Sequence, residues 1–248
     1  IEEIETMTLP PKIHEIVVGD GVIGDRELFV WKWLYYIFGD VLTLDIVPDE
    51  YERLARDTTY LAGVYMTLLD DIAERHGDEA TYWELAKATY PRMTPNWDSE
   101  DIDSDYAEDV RRVWEGFEEC VQQAPRYEEL IDQLLFDIRI VVQGMDFSRM
   151  TGQNDQFASR METWKFESAA IGLHAHWEGD LIFAPDFDAD DYRGFREAAY
   201  ECQQMWRLGN WMVSWEREVE ELDFSAGIFV EAMQQGIISD DELQQLKR

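Results

Sequence analysis

The chain has 248 residues, of which 46% are hydrophobic and 13% aromatic, enough for a sizeable core and too many for a disordered chain. Asp and Glu number 54 against 21 Lys and Arg, a net charge of −33, which argues against nucleic acid and anionic membrane surfaces as partners because phosphate contacts need clustered cations. Such self-repulsion destabilises a compact chain in dilute buffer, and molar salt relieves it by shortening the Debye length to ~3 Å.

In chain order, Ile13 to Val18 is the one stretch with a weak strand-like alternation. Arg26 to Phe38 is apolar nearly all round and ends near Gly39, which predicts a buried helix. Pro48 suits a first helical turn, and Asp49 and Glu50 favour the positive end of a helix running to His76 and stopped by Gly77. A helix is predicted from Glu79 to Thr89, ended by Pro91. The acidic stretch Asp98 to Asp109 reads as a solvated connection entering a helix from Tyr106 to Gln123. Further helices are predicted over Tyr127 to Gly144, Gln156 to Trp177, Asp190 to Glu221, Ser225 to Gln235 and Asp240 to Lys247. The chain therefore reads as all-α: one domain over 1–248, with 1–25 as an N-terminal extension.

Two cysteines, Cys120 and Cys202, do not make a disulfide framework and suit a reducing cytosol. No run of ~18 apolar residues predicts a membrane span, and no leader-like segment opens the chain, which starts at Ile1 and suggests a trimmed start. With the acidic surface, these features lead to the expectation of a halophilic, cytoplasmic protein.

Two constellations carry chemistry. Asp70, Asp71 and Glu74 follow the apolar run Gly63 to Leu69, and Asp70 and Glu74 share a helical face. Carboxylates crowded at a helix end repel unless a cation sits among them, and Mg²⁺ takes such oxygen ligands together with phosphates and water. In so acidic a chain the same cluster also suits a plain solvated helix end. Asn210, Ser214 and Glu218 recur every four residues, so that one stripe carries an amide oxygen, a hydroxyl and a carboxylate. The Trp, Met and Val residues between them point to a buried helix, on which Asn210 and Ser214 equally suit hydrogen bonds inside a bundle. The pairing of the motifs, on an early and a late helix with 140 residues between Asp70 and Asn210, favours a diphosphate clamped through shared metal ions.

On these residues the chain resembles class I terpene synthases of the bacterial type. Their D-D-x-x-D/E motif matches Asp70, Asp71 and Glu74, and their N-D-x-x-S-x-x-x-E motif matches Asn210, Ser214 and Glu218. The likeness spans roughly residues 30 to 245, and continues in Leu222-Asp223-Phe224 before an apolar helix and in Ser239-Asp240-Asp241-Glu242. It implies an isoprenoid-synthase-like bundle of antiparallel helices around a central apolar cavity. It also implies Mg²⁺ bound by Asp70, Glu74, Asn210, Ser214 and Glu218, with Asp71 beside them. The substrate implied is a prenyl diphosphate, C15 or C20, that loses diphosphate to give a cyclic or linear terpene. Lys165, Arg160 and Arg217 would contact diphosphate, and Tyr65, Phe147, Trp164, Phe166 and Trp206 are candidates to stabilise cations with their ring faces, as are Trp177 and Phe229. The family's frequent homodimer is a further expectation. Three positions depart from the family. Trp211 replaces an Asp; the Arg expected about 46 residues before the Asn falls at Trp164, beside Lys165; and no Arg-Tyr pair follows the last helix, which ends in Lys247-Arg248.

Two alternatives remain: a prenyltransferase of the same fold, against which the Asn-Ser-Glu stripe argues, and a non-catalytic helical protein that binds a lipid or a partner. The four histidines supply no paired Glu-x-x-His, and His174 and His176, two apart, argue against a zinc site.

Overall fold

The computed structural model describes residues 1–19, 21–154, 157–220 and 224–246. The described residues are helical throughout their regular structure, and none forms a strand. They divide into two compact units, Ile1–Arg139 with Ala175–Tyr192, and Ile140–His174 with Arg193–Arg248. The boundaries fall inside three helices, α7 (Tyr127–Gln153), α9 (Leu173–Leu181) and, at its first residue, α10 (Tyr192–Glu220).

The first unit contains α1 (Glu2–Thr6), α2 (Pro11–Val17), α3 (Leu28–Tyr36), α4 (Asp49–Asp70), α5 (Glu79–Ala86) and α6 (Ser104–Val121). Ile13 to Val18 is not a strand. Pro11 presets the first turn of α2, and Ile13, Ile16 and Val17 bury at helical spacing. Residues 1–19 and 21–25 are tied into this unit, with Ile4, Leu9 and Ile23 also buried. Helix α4 is its centre: every residue from Asp57 to Tyr65 is buried. It packs along α6, whose Tyr106, Val110, Val113, Trp114 and Phe117 bury at spacings of three and four. Full burial of side chains such as Leu61, Leu68 and Leu69 contributes about 1.5–3 kcal/mol each. The acidic stretch supplies a cap, because the Asp103 carboxylate accepts from the Asp105 and Tyr106 N–H groups.

Two helices end in a widened winding. Residues Ile37–Val41 continue α3, and Asp71–His76 continue α4, each as a π turn. The second runs to Gly77, so the predicted stop is where the helix ends, but the last turn before it is not α. Helix α3 is less buried than its composition suggests: Trp31, Leu34 and Tyr35 are inside, whereas Trp33 is exposed.

The second unit contains the end of α7, α8 (Arg160–Ala170), nearly all of α10 (Tyr192–Glu220), α11 (Gly227–Gln234) and α12 (Asp240–Leu246). Helix α7 continues past Gly144 to Gln153 instead of stopping there. A Cβ at Gly144 would stand 2.6 Å from the Phe166 carbonyl oxygen, so this glycine permits the close approach of α8. The predicted Gln156–Trp177 helix is broken: α8 ends at Ala170 and α9 starts at Leu173, with Gly172 between them at φ 75°. Phe224, Ala226, Phe229 and Leu243 form a small core, flanked by Val219, Ile228, Met233 and Ile238. Gln156, Glu221, Leu222, Asp223, Lys247 and Arg248, named above, lie outside the described residues. No helix among those described is long and apolar enough to cross a membrane.

Candidate functional site

The acidic cluster stands where α4 passes into its π turn, a rare winding that is frequent at functional sites. Its members differ. Asp71 is fully buried, and Arg26 grips it with both prongs, Nε to Oδ2 at 2.7 Å and Nη2 to Oδ1 at 2.8 Å. Arg75 adds a longer contact to Oδ1 at 3.5 Å. Asp70 is the more open carboxylate, its side chain 37% exposed and its Oδ2 3.9 Å from Arg26 Nη2. Nearby, His76 pairs with Asp25 at 2.6 Å, and the Tyr106 hydroxyl donates to the Leu68 carbonyl at 2.8 Å. Burial and the neighbouring Asp71 and Asp25 push the Tyr106 phenol up, so it stays a donor. Asp71 is thus satisfied by guanidinium groups, and Asp70 is the more exposed of the two. The Glu74 side chain lies outside the described part.

The second constellation lies along α10, within the second unit. The inner face of this helix is unusually polar: Gln203, Ser214 and Glu218 are buried beside Ala199 and Trp211, and Arg207 and Asn210 are half-buried. Its opposite face carries exposed Met205, Leu208, Met212 and Trp215. The inner face is organised by Glu167 of α8. The buried Glu167 Oε2 accepts from Trp211 Nε1 and from the Gly227 N–H, both at 3.0 Å. Trp211, which stands where the resembled family has an Asp, therefore serves to dock α10 on α8 and α11, with Trp164 edge-on at 5.1 Å. Arg207 Nε donates to the Glu167 carbonyl at 2.6 Å, and its Nη1 donates to Asn210 Oδ1 at 2.9 Å. Arg217 Nη2 donates to Glu218 Oε1 at 2.9 Å. Ser214 Oγ is buried with no hydrogen-bond partner among the described residues. A helical serine ordinarily satisfies itself on the carbonyl one turn back, and this hydroxyl does not.

The remaining candidates are scattered. Arg160 is exposed and pairs with Glu231 at 2.6 Å. Lys165 is exposed, its Nζ 4.8 Å from the Phe166 ring, and Phe166 stacks on Phe147 at 5.1 Å. Trp206 is exposed and Phe229 belongs to the small core of the second unit. Tyr65 belongs to the core of the first unit, its hydroxyl donating to the Leu85 carbonyl and its ring 4.7 Å from Trp114.

Sequence reasoning missed a buried His–Asp pair in the first unit. His176 and Asp180, one turn apart on α9, are both buried, with Nε2 and Oδ2 3.8 Å apart. The Leu44 N–H donates to Asp180 Oδ2 at 2.9 Å, and the Phe38 ring lies 5.0 Å from the imidazole. The Leu42 backbone is close to His176, but neither ring nitrogen makes a well-aligned hydrogen bond. The spacing of four could have signalled the pair. Burial pushes the Asp180 carboxyl up to about 8, against the pull of the Leu44 N–H, and pushes His176 down to about 3.

These shifts have a pH signature. The folded chain keeps a proton on Asp180 that the unfolded chain gives up near 3.8, so this contribution to stability declines as pH rises towards 8. The folded chain also keeps His176 neutral where the unfolded chain protonates below 6.5, so that contribution grows with pH. The two slopes offset each other up to 6.5, and a net decline of about 2 kcal/mol remains from there to pH 8. Asp180→Asn should flatten this alkaline decline when urea midpoints are compared at the two pH values. An equal decline in the variant would rule out Asp180 as its source.

Among the described residues, no group of three or more His, Cys, Asp or Glu side chains is arranged to hold a metal ion. The donors on α10 are of another kind: an amide oxygen, an unsatisfied hydroxyl and a single carboxylate, all hard oxygens suited to Mg²⁺. Two of the three already face guanidinium groups, so the place is one where positive charge is favourable. In comparisons with known proteins, no family, no curated protein and no solved structure matches this chain.

Proposed function

We propose that the chain is a Mg²⁺-dependent class I terpene synthase that ionises a prenyl diphosphate, C15 or C20, in molar salt. The observation that carries this reading is the α10 face, where Asn210, Ser214 and Glu218 present three oxygen donors and the Ser214 hydroxyl is buried and unsatisfied. In this reading Asp70 and Glu74 supply the other ligands, and Asp71 holds the end of α4 in place through Arg26. When bound, Mg²⁺ stabilises the charge that develops on the departing diphosphate. Arg217, beside Glu218, adds a fixed positive charge, with Lys165 and Arg160 as outer contacts.

The test is incubation of the protein with geranyl, farnesyl and geranylgeranyl diphosphates and Mg²⁺ in molar KCl, followed by assay of released diphosphate and analysis of the organic extract. The expected result is Mg²⁺-dependent release from one of the longer substrates, with a hydrocarbon or terpene alcohol in the extract. Consumption of added isopentenyl diphosphate would instead mark a prenyltransferase. Binding of a prenyl diphosphate with no release at any Mg²⁺ concentration would mark a non-catalytic lipid or partner binder.

A further inference from the structure

We infer that residues 37–46 form a strap poised to lift from the first unit, with unsatisfied polar atoms beneath it as the stored strain; this stands apart from the terpene synthase reading. The strap is the π turn Ile37–Val41 and the irregular stretch that follows it. No residue from Tyr36 to Ile46 is itself buried, whereas Tyr35 before it and Val47 after it are. A segment with so few buried contacts belongs to the low end of local stability. Yet it covers two groups taken out of water, the His176 and Asp180 side chains of α9, 4% and 0% exposed.

The strap is held down at Phe38, at residues 39–40 and at Leu44. The Phe38 ring lies 5.0 Å from the His176 ring and occupies the space that Gly63 of α4 leaves open, where a Cβ would stand 1.9 Å from it. Gly39 lies against the Arg56 side chain, and Asp40 pairs with the same guanidinium. The Leu44 N–H donates to Asp180 Oδ2 at 2.9 Å. Further bonds are internal: the Thr43 hydroxyl donates to the Phe38 carbonyl at 2.8 Å, and the Leu42 N–H donates to the Ile37 carbonyl at 3.0 Å. The segment can therefore move as one piece.

The floor under it is not satisfied. Both ring nitrogens of His176, Asp180 Oδ1 and Arg56 Nε are buried with no hydrogen-bond partner among the described residues. Buried polar atoms are nearly always paired, and an unpaired one carries its full desolvation cost. His176 and Asp180 do not satisfy each other, since 3.8 Å is too long for a hydrogen bond. Closing the strap takes these atoms out of water with nothing in return. Lifting it hydrates them and presents an imidazole and a carboxyl group to solvent, while α4 and α9 stay folded.

The experiment is native-state hydrogen exchange of the full chain at pH 7 in molar KCl with rising urea, read by mass spectrometry on peptides from the strap and from the middle of α4. In wild type, amides 42–44 should exchange faster than those of α4 and with a much weaker urea dependence, because lifting exposes little surface. His176→Phe keeps a ring against Phe38 and removes two unpaired nitrogens. It should slow exchange over 42–44 by about 10- to 100-fold. His176→Leu is the second variant, in case the larger ring overfills the site, and slowing in either supports the strain. The inference is overturned if wild-type amides 42–44 exchange only together with α4, at one rate and one urea dependence. It is also overturned if neither His176 variant slows them, which would mean that the buried nitrogens have partners such as an enclosed water.

Discussion

Asn210→Ala is expected to lower Mg²⁺-dependent release of diphosphate from a prenyl diphosphate by about 10²- to 10³-fold, the usual loss when one group that stabilises leaving-group charge is removed. The residue is half-buried, and its side-chain oxygen accepts from Arg207. Truncation removes that bond, at a cost of about 1.5–3 kcal/mol because the donor is charged. The helix remains docked through Trp211 and Glu167. The rate should therefore fall far more than the helical circular-dichroism signal. Glu201→Gln is the matched control: Glu201 is exposed on the opposite side of α10, and its loss should leave the rate unchanged. The outcome that would remove Asn210 from the site is a variant that folds and keeps the full Mg²⁺-dependent rate. A parallel loss in Asp70→Ala, whose carboxylate is the more open of its cluster, would tie both motifs to one reaction.

The long helices were legible because their apolar residues recur at three and four, as in α6 and α4, and because Gly77 and Pro48 bound the latter. The π turns at 37–41 and 71–76 were not, since a shift of hydrogen bonding from the fourth to the fifth residue leaves no compositional mark. Gly144 was misread because a glycine that admits a neighbouring backbone looks the same as one that ends a helix. The oxygen-donor stripe of α10 was visible as a period of four. The Arg207–Asn210 contact could have been found from its spacing of three, whereas Trp211–Glu167 joins residues 44 apart and is set only by packing. Arg26 and Asp71, 45 apart, belong to the same class.

That last pair carries the largest stability effect expected in the first unit. Arg26→Ala should cost about 3–5 kcal/mol, because it strands a carboxylate taken out of water. Asp71 is fully buried, and its two short bonds both come from Arg26. Arg75, at 3.5 Å and with its side chain 57% exposed, is too distant and too solvated to replace them. Molar salt should not soften the loss much, since screening acts on exposed charges more than on buried ones. Exposed pairs in this chain, such as Lys12 with Glu119, should contribute under about 1 kcal/mol and less still in salt. Urea unfolding in molar KCl would measure the effect directly. The double variant Arg26→Ala with Asp71→Asn should recover part of it by removing the stranded charge, and the single variant Asp70→Ala should cost little. If Arg26→Ala unfolds at the wild-type midpoint, Asp71 does not depend on this guanidinium, and the acidic end of α4 is held by other contacts.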